Sequence, residues 1–276
     1  MRGQCMAGGA AMARSGSEDT LAQGSFVRAL RAEALKSRHG APVRLATVLA
    51  LPFPLLAAFV ALSVPQFGLS YSPWNYWYAL LMPVSITLIA ATVANADARL
   101  GNHTLLSSGV PLHLAWGAKV AWCLALLLLS NLVVFAVYAV MSLVVPQGAA
   151  SMSAMLAVAL ALTVMGSWMI PATHFLTMRV GMLAGVFVPL AVQLALSLGW
   201  SVVPFWPACP PAATIVLPTA FLPVLPSGEP ASPGMALVES ISQGPDVALA
   251  LIVAAVLTAA LTAAGAVWLD RSEELR

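Results

Sequence analysis

The side chains able to do acid–base, nucleophilic or metal chemistry are few and stand apart. Four histidines, His39, His103, His113 and His174, and three cysteines, Cys5, Cys123 and Cys209, are scattered over 276 residues. None is paired with a second ligand at the short spacing a metal site needs. The sequence contains no His-Glu-x-x-His, Gly-x-Ser-x-Gly or Cys-x-x-Cys, and no Gly-x-x-x-x-Gly-Lys-Ser/Thr loop to cradle a nucleotide phosphate. No catalytic, metal or cofactor-binding residue is therefore assigned, and the chain is not expected to be an enzyme. Three cysteines cannot form a paired framework, and a free thiol is expected at Cys209.

The polar residues that do cluster lie between Asp97 and Lys119, the longest polar interruption between two strongly apolar segments on the side that the basic residues make cytosolic. Leu100, Thr104, Leu105 and Leu106 have the pattern of a short helix stopped at Gly109. Pro111 suits the first position of a second helix running through Trp116 towards Lys119. Such a helix-break-helix is a docking element. The plainer reading of the same residues is a linker whose basic ends fix topology.

The elements holding this loop follow from composition. Hydrophobic side chains make up 61% of the chain and charged ones 8%, against about 25% charged in a soluble domain. The apolar residues gather into blocks without Asp, Glu, Lys or Arg, long enough to span a bilayer core, which takes about 20 helical residues. Six spans are drawn: Leu45 to Val64, Trp77 to Ala96, Val120 to Val140, Met152 to Phe175, Met182 to Val202 and Val247 to Leu269. Runs such as Leu124-Ala125-Leu126-Leu127-Leu128-Leu129 do not alternate as barrel strands would, so helices are the better reading. The expected fold is an all-α integral membrane protein of six transmembrane helices.

All 12 Lys and Arg residues fall on one side of that topology, which the retention of basic loops makes cytosolic. Both termini are then cytosolic, in a bacterial-type cytoplasmic (inner) membrane. The net charge of +2 is a topology signal, and a nucleic-acid partner is excluded. No ionisable residue sits inside a span, so proton or sodium coupling through carboxylates is disfavoured, carriers that use only hydroxyls and carbonyls stay open, and the energy for transport is expected to come from elsewhere.

Met1 to Gly24 is rich in Gly, Ala and Ser and reads as a disordered tail, leaving residues 25–276 as one membrane domain. In Ser25 to Arg38, Phe26, Leu30, Ala34 and Val27 share one helical face, while Arg28, Arg31, Glu33 and Lys36 take the others; such a helix lies along the membrane surface. Gly40 and Pro42 end it before the first span. Pro52, Pro54, Pro83, Pro171 and Pro189 predict kinks. Trp74 and Trp77 near one boundary, and Trp116, Trp122 and Trp268 near the other, are expected in interfacial belts. Gly181 and Gly185 form a small-xxx-small pair that would let helices approach closely. Finally, Phe205 to Asp246 carries nine prolines and an apolar run from Thr214 to Leu225 too short to span. Short helices dipping into the outer leaflet are expected there.

The order of these parts resembles the permease subunit of an ABC type-2 transporter: an amphipathic elbow helix, six spans, a coupling loop between spans two and three, and a re-entrant segment between spans five and six. Leu30-Arg31-Ala32-Glu33-Ala34-Leu35-Lys36 is similar to that family's amino-terminal Glu-x-x-Lys segment. Asp97 followed by Gly101-Asn102, Leu105-Leu106, Pro111 and Gly117-Ala118-Lys119 is similar to its coupling signature, with Asp97 standing where Glu is common. The resemblance covers Phe26 to Arg271 and is greatest to the lantibiotic-immunity group, whose small six-span subunits expel antimicrobial peptides from the producer's membrane.

The resemblance implies a separate ATPase subunit that holds ATP and Mg, a second permease chain, identical or homologous, and a peptide or amphipathic substrate. On that reading the coupling residues are Asp97, Arg99, Gly101, Asn102, Leu105, Leu106, Pro111 and Lys119. Leu105, Leu106 and Pro111 would enter the ATPase, and Arg99 and Lys119 would meet phospholipid or acidic rim residues. The elbow helix would be carried by Phe26, Leu30, Glu33 and Lys36. The re-entrant segment, with Phe205, Trp206 and Phe221, would face substrate leaving the outer leaflet. The rival readings are a polytopic structural or partner protein without a transport role, and an integral membrane enzyme with an unfamiliar site.

Overall fold

Prolines and glycines set where each helix bends or stops, and helix is the only regular structure among the described residues of the computed structural model, 26–38, 40–98, 111–232, 234–242 and 245–274. The elements in chain order are α1 (26–37), α2 (Ala41–Ser63), α3 (Ser72–Ala96), α4 (Leu112–Val144), α5 (Met152–Arg179), α6 (Met182–Leu198), α7 (Pro210–Val216), α8 (Ala236–Ser242) and α9 (Asp246–Glu274). A single antiparallel bridge, Val224 to Pro230, lies between α7 and α8. The segment 1–24 and the loop residues Arg99, Gly101, Asn102, Leu105 and Leu106, with the short helix expected around them, lie outside the described residues.

α2, α3, α4, α5 and α9 are each long and apolar enough to cross a membrane, which marks the chain as a multi-pass helical membrane protein. The fifth expected span, Met182 to Val202, differs. It is α-helical only over the 17 residues of α6, about 25 Å at 1.5 Å per residue, against a core of about 30 Å. Gly199 ends it, and Trp200–Val202 tighten into a 3-10 turn. The third expected span is longer than drawn: α4 runs unbroken for 33 residues, about 50 Å, so the helix predicted from Pro111 to Lys119 and the span beginning at Val120 are one rod.

Each bend lies just before a proline, because proline cannot donate to the carbonyl four residues earlier and its ring crowds that carbonyl. α2 turns at residues 49–51, ahead of Pro52 and Pro54. α3 widens into a π-helical stretch over Trp77–Leu81, ahead of Pro83. α5 breaks at residues 167–168, ahead of Pro171. Pro189, by contrast, sits within α6 without interrupting it.

Two close approaches depend on glycine. A Cβ at Gly185 would strike the Thr177 side chain and come within 3.0 Å of the Thr173 carbonyl, so α6 runs against the end of α5 at backbone distance. Gly181, the other member of the predicted pair, instead takes φ 130° at the α5–α6 turn and has no neighbour within 4 Å of an added Cβ. At Gly265 of α9 the added Cβ would fall on the Trp116 ring, and Trp116 Nε1–H donates to Thr262 O at 3.0 Å. Small residues substitute here for the missing hydrophobic drive between helices in lipid.

The tryptophans expected in interfacial belts are divided. Trp74, Trp77 and Trp116 are buried in the core, while Trp122 and Trp268 are half-buried. The correction has a physical cause, since Trp77 and Trp116 carry N–H groups that inter-helix acceptors satisfy. Trp77 Nε1–H donates to Asn131 Oδ1 at 3.1 Å, and Asn131 Nδ2–H donates to Thr163 Oγ1 at 3.0 Å, joining α3, α4 and α5 by a polar chain. Ser130 Oγ–H adds a bond to Ala46 O of α2 at 2.8 Å.

Candidate functional site

The basic end of the bundle is where α1, the end of α3, the start of α4, the end of α5, the start of α6 and the end of α9 come together. Its centre is an ion cluster. Glu33 of α1 accepts from Lys119 Nζ at 3.1 Å and from Lys36 Nζ at 3.0 Å. Glu33 is 7% exposed and Lys119 3%. The amphipathic reading placed Glu33 among the polar outer faces of α1; the structure turns it inward and leaves Val27 exposed. The inward stripe is Phe26, Leu30, Glu33 and Ser37, spaced as one helical face, and it accepts a carboxylate because Lys119 neutralises it there. Burying an unpaired carboxylate would cost several kcal/mol. Lys119 in turn, expected to meet phospholipid or acidic residues of another protein, meets an acid of its own chain.

Phe26 fixes the same joint one layer away. Its Cε2 lies 3.6 Å from where a Cβ at Gly117 would stand, so the ring rests in the gap left by that glycine. Pro111 is exposed and caps α4, with φ −52° and ψ 137°, just ahead of its first residue. Asp97 lies in the last helical turn of the stretch Met82–Ala98. The loop 97–119 therefore leaves from the end of α3 and returns into the helix that carries Lys119.

Beside the ion cluster lies a cleft of about 390 Å³. Glu33, Lys36 and Ser37 of α1, Thr92 and Asn95 of α3, and Met182 of α6 line it. At the same end, His113 of α4 and Asp270 of α9 stand 3.5 Å apart on the surface, a further tie between helices.

His174 is fully buried in α5, with Nδ1 2.9 Å from Ile170 O, Nε2 3.9 Å from Cys123 Sγ, and its ring edge against Trp116 at 5.8 Å. A thiol and an imidazole in contact are the beginnings of a nucleophile, but here the imidazole is held by a backbone carbonyl, and the pair is sealed in the core. Among the described residues no three His, Cys, Asp or Glu side chains group to hold a metal ion.

At the far end, Pro210–Ala220 forms α7 and a 3-10 turn, with Pro210 to Thr219 buried throughout. Ser197 Oγ–H of α6 donates to Pro211 O at 3.0 Å, and Gln193 Nε2–H donates to Ser197 Oγ at 2.9 Å. Trp206 and Phe221 are half-buried against the cluster of Ala161, Met165, Ala213, Leu217, Ala250 and Ala254, whereas Phe205 is exposed. Tyr71, in the loop before α3, accepts from Ala150 N–H at 2.8 Å, and burial holds its hydroxyl pKa above the usual phenol range.

Sequence reasoning named Phe26, Leu30, Glu33, Lys36 and Lys119 but did not pair any of them across elements. The pairing had a signal: Lys119 stands in the otherwise apolar run Ala115 to Cys123, where an ammonium needs an acid. Asn131 and Thr163, equally conspicuous within apolar blocks, were missed as the polar link of the core.

No protein-family model matches the chain, and neither a curated protein nor a solved structure does.

Proposed function

We propose that the chain is the membrane-spanning permease subunit of an ATP-driven exporter of the ABC type-2 kind, expelling a hydrophobic or antimicrobial peptide, as in lantibiotic self-immunity, or a related amphipathic compound. α6 with the turn after it serves as the sixth crossing, both termini are cytosolic, and α1 is the elbow helix. The observation that carries this reading is the buried Glu33–Lys119 pair. It ties α1 to the helix into which the 97–119 loop returns, so a push on that loop moves the elbow and α4 together.

The partner ATPase supplies ATP and Mg; this chain supplies the pathway and the joint. Leu105, Leu106 and Pro111 dock the ATPase, Arg99 lies at the rim, and Asp97 through Asn102 shape the loop. The buried segment Pro210–Ala220, bonded to α6 and packed beside α5 and α9, is the re-entrant element, with Phe205, Trp206 and Phe221 at its ends.

The test is affinity purification of the intact protein from its native membrane in mild detergent, followed by identification of what accompanies it. A nucleotide-binding subunit should co-purify, and Leu105→Asp should release it and abolish efflux. Purification without any ATPase, together with unchanged efflux by Leu105→Asp, would remove the permease reading.

A further inference from the structure

Arg31 and Leu35, at i and i+4 on the outer side of α1, are followed by Arg38 in the turn just after it, and all three are exposed. Together with Ala34, Val43 of α2 and Trp122 of α4 they line a groove of about 370 Å³. Apart from the two guanidiniums its lining is apolar. Val43 lies in the first turn of α2 and Trp122 one turn beyond Lys119 in α4, two helices long enough to cross a membrane.

We propose that this groove binds one glycerophospholipid with an anionic headgroup, drawn from the leaflet at the basic end of the bundle. Three features favour that occupant. Among the described residues neither Arg31 nor Arg38 has an ion-pair partner, and the nearest acid on their own helix, Glu33, faces inward to the lysines. Guanidinium forks match a phosphate's oxygens, and basic pockets between helices at the membrane surface are where anionic headgroups are held. The second feature is the floor: Ala34, Leu35, Val43 and Trp122 offer an acyl stem a surface that a soluble anion would leave uncovered. The third is Trp122 itself, whose Nε1–H is buried with no hydrogen-bond partner among the described residues. A phosphate or ester oxygen reaches that donor once the indole turns towards the groove on binding, a movement that would relieve its desolvation cost.

The experiment is native mass spectrometry of the full chain in mild detergent, with phosphatidylglycerol, phosphatidylcholine or inorganic phosphate added. One phosphatidylglycerol should stay bound under conditions that strip phosphatidylcholine. R31Q/R38Q should weaken its retention about tenfold or more, whereas R28Q/R44Q, which removes the same charge outside the groove, should not. As a second readout, phosphatidylglycerol with brominated chains should quench tryptophan fluorescence less in W122F than in the parent chain. Equal retention of both lipids, equal losses in the two arginine pairs, or displacement of the lipid by inorganic phosphate would overturn the proposal. No ATPase or efflux enters the measurement, so its failure leaves the proposed permease role standing, and the reverse holds as well.

Discussion

Glu33 Oε1 and Lys119 Nζ stand 3.1 Å apart, 86 residues apart in sequence, with both side chains nearly sealed from solvent. The pair makes α1 part of the bundle and not merely a helix resting beside it. Phe26 against Gly117 holds the same interface through packing alone.

Because Glu33 is the acid that buried Lys119 meets, Glu33→Ala should destabilise the protein by about 3–5 kcal/mol, whereas Lys119→Ala should cost less, since Glu33 keeps Lys36 at 3.0 Å. The double variant Glu33→Leu/Lys119→Met should recover much of that loss. Lys36→Ala should cost less than about 1 kcal/mol, since its side chain is 41% exposed and its charge is screened by solvent. Thermal unfolding of the detergent-solubilised variants, read as a double-mutant cycle, checks all three.

Asn131→Leu should loosen α3 from α4 and α5. It leaves Trp77 Nε1–H without its acceptor and Thr163 without its donor. Inter-helix hydrogen bonds in membranes contribute about 0.6–1.7 kcal/mol, so a loss near the upper end of that range is expected, measured by denaturation in mixed micelles. Thr163→Val should cost less, because Trp77 keeps its partner.

Gly185→Leu and Gly265→Val should each prevent correct packing. At Gly185 the new side chain meets backbone, which cannot yield, and at Gly265 it meets the Trp116 ring. Overpacking of this kind costs about 1–3 kcal/mol or more. Size-exclusion profiles in detergent should show aggregation for both, while Gly181→Asn, which meets no neighbour, should instead lower thermal stability by about 1–3 kcal/mol, because φ 130° with ψ 166° is a conformation that only glycine adopts readily.

Thiol labelling separates the two described cysteines. In a Cys5→Ser background, Cys209, partly exposed just before α7, should react with maleimide in the folded protein, and Cys123, sealed in the core, should react only after denaturation. With a membrane-impermeant reagent on intact cells, labelling at Cys209 tests the proposed placement of 205–246 outside. Labelling confined to inverted vesicles would reverse that topology.

The sequence by itself determined that this is a helical, multi-pass membrane protein, because only helix or a closed barrel satisfies the backbone in lipid and its charge-free apolar blocks lack the alternation of barrel strands. It also located the bends of α2, α3 and α5, where a proline removes a helical hydrogen bond, but not the uninterrupted course of α6 through Pro189. Which end of the bundle binds what was not legible, because pairing depends on how helices distant in sequence are rotated against one another. Periodicity placed Glu33 on a polar face of α1, and it could not foresee that Lys119, 86 residues later, would arrive to neutralise it. Trp77 and Trp116 read as interfacial anchors by composition; acceptors on other helices, Asn131 Oδ1 and Thr262 O, drew them inside. The length of α6 was likewise decided by its ends, Gly181 and Gly199, more than by the apolar block between them. Local chemistry named the helices, and only the tertiary structure decided which buried charge meets which.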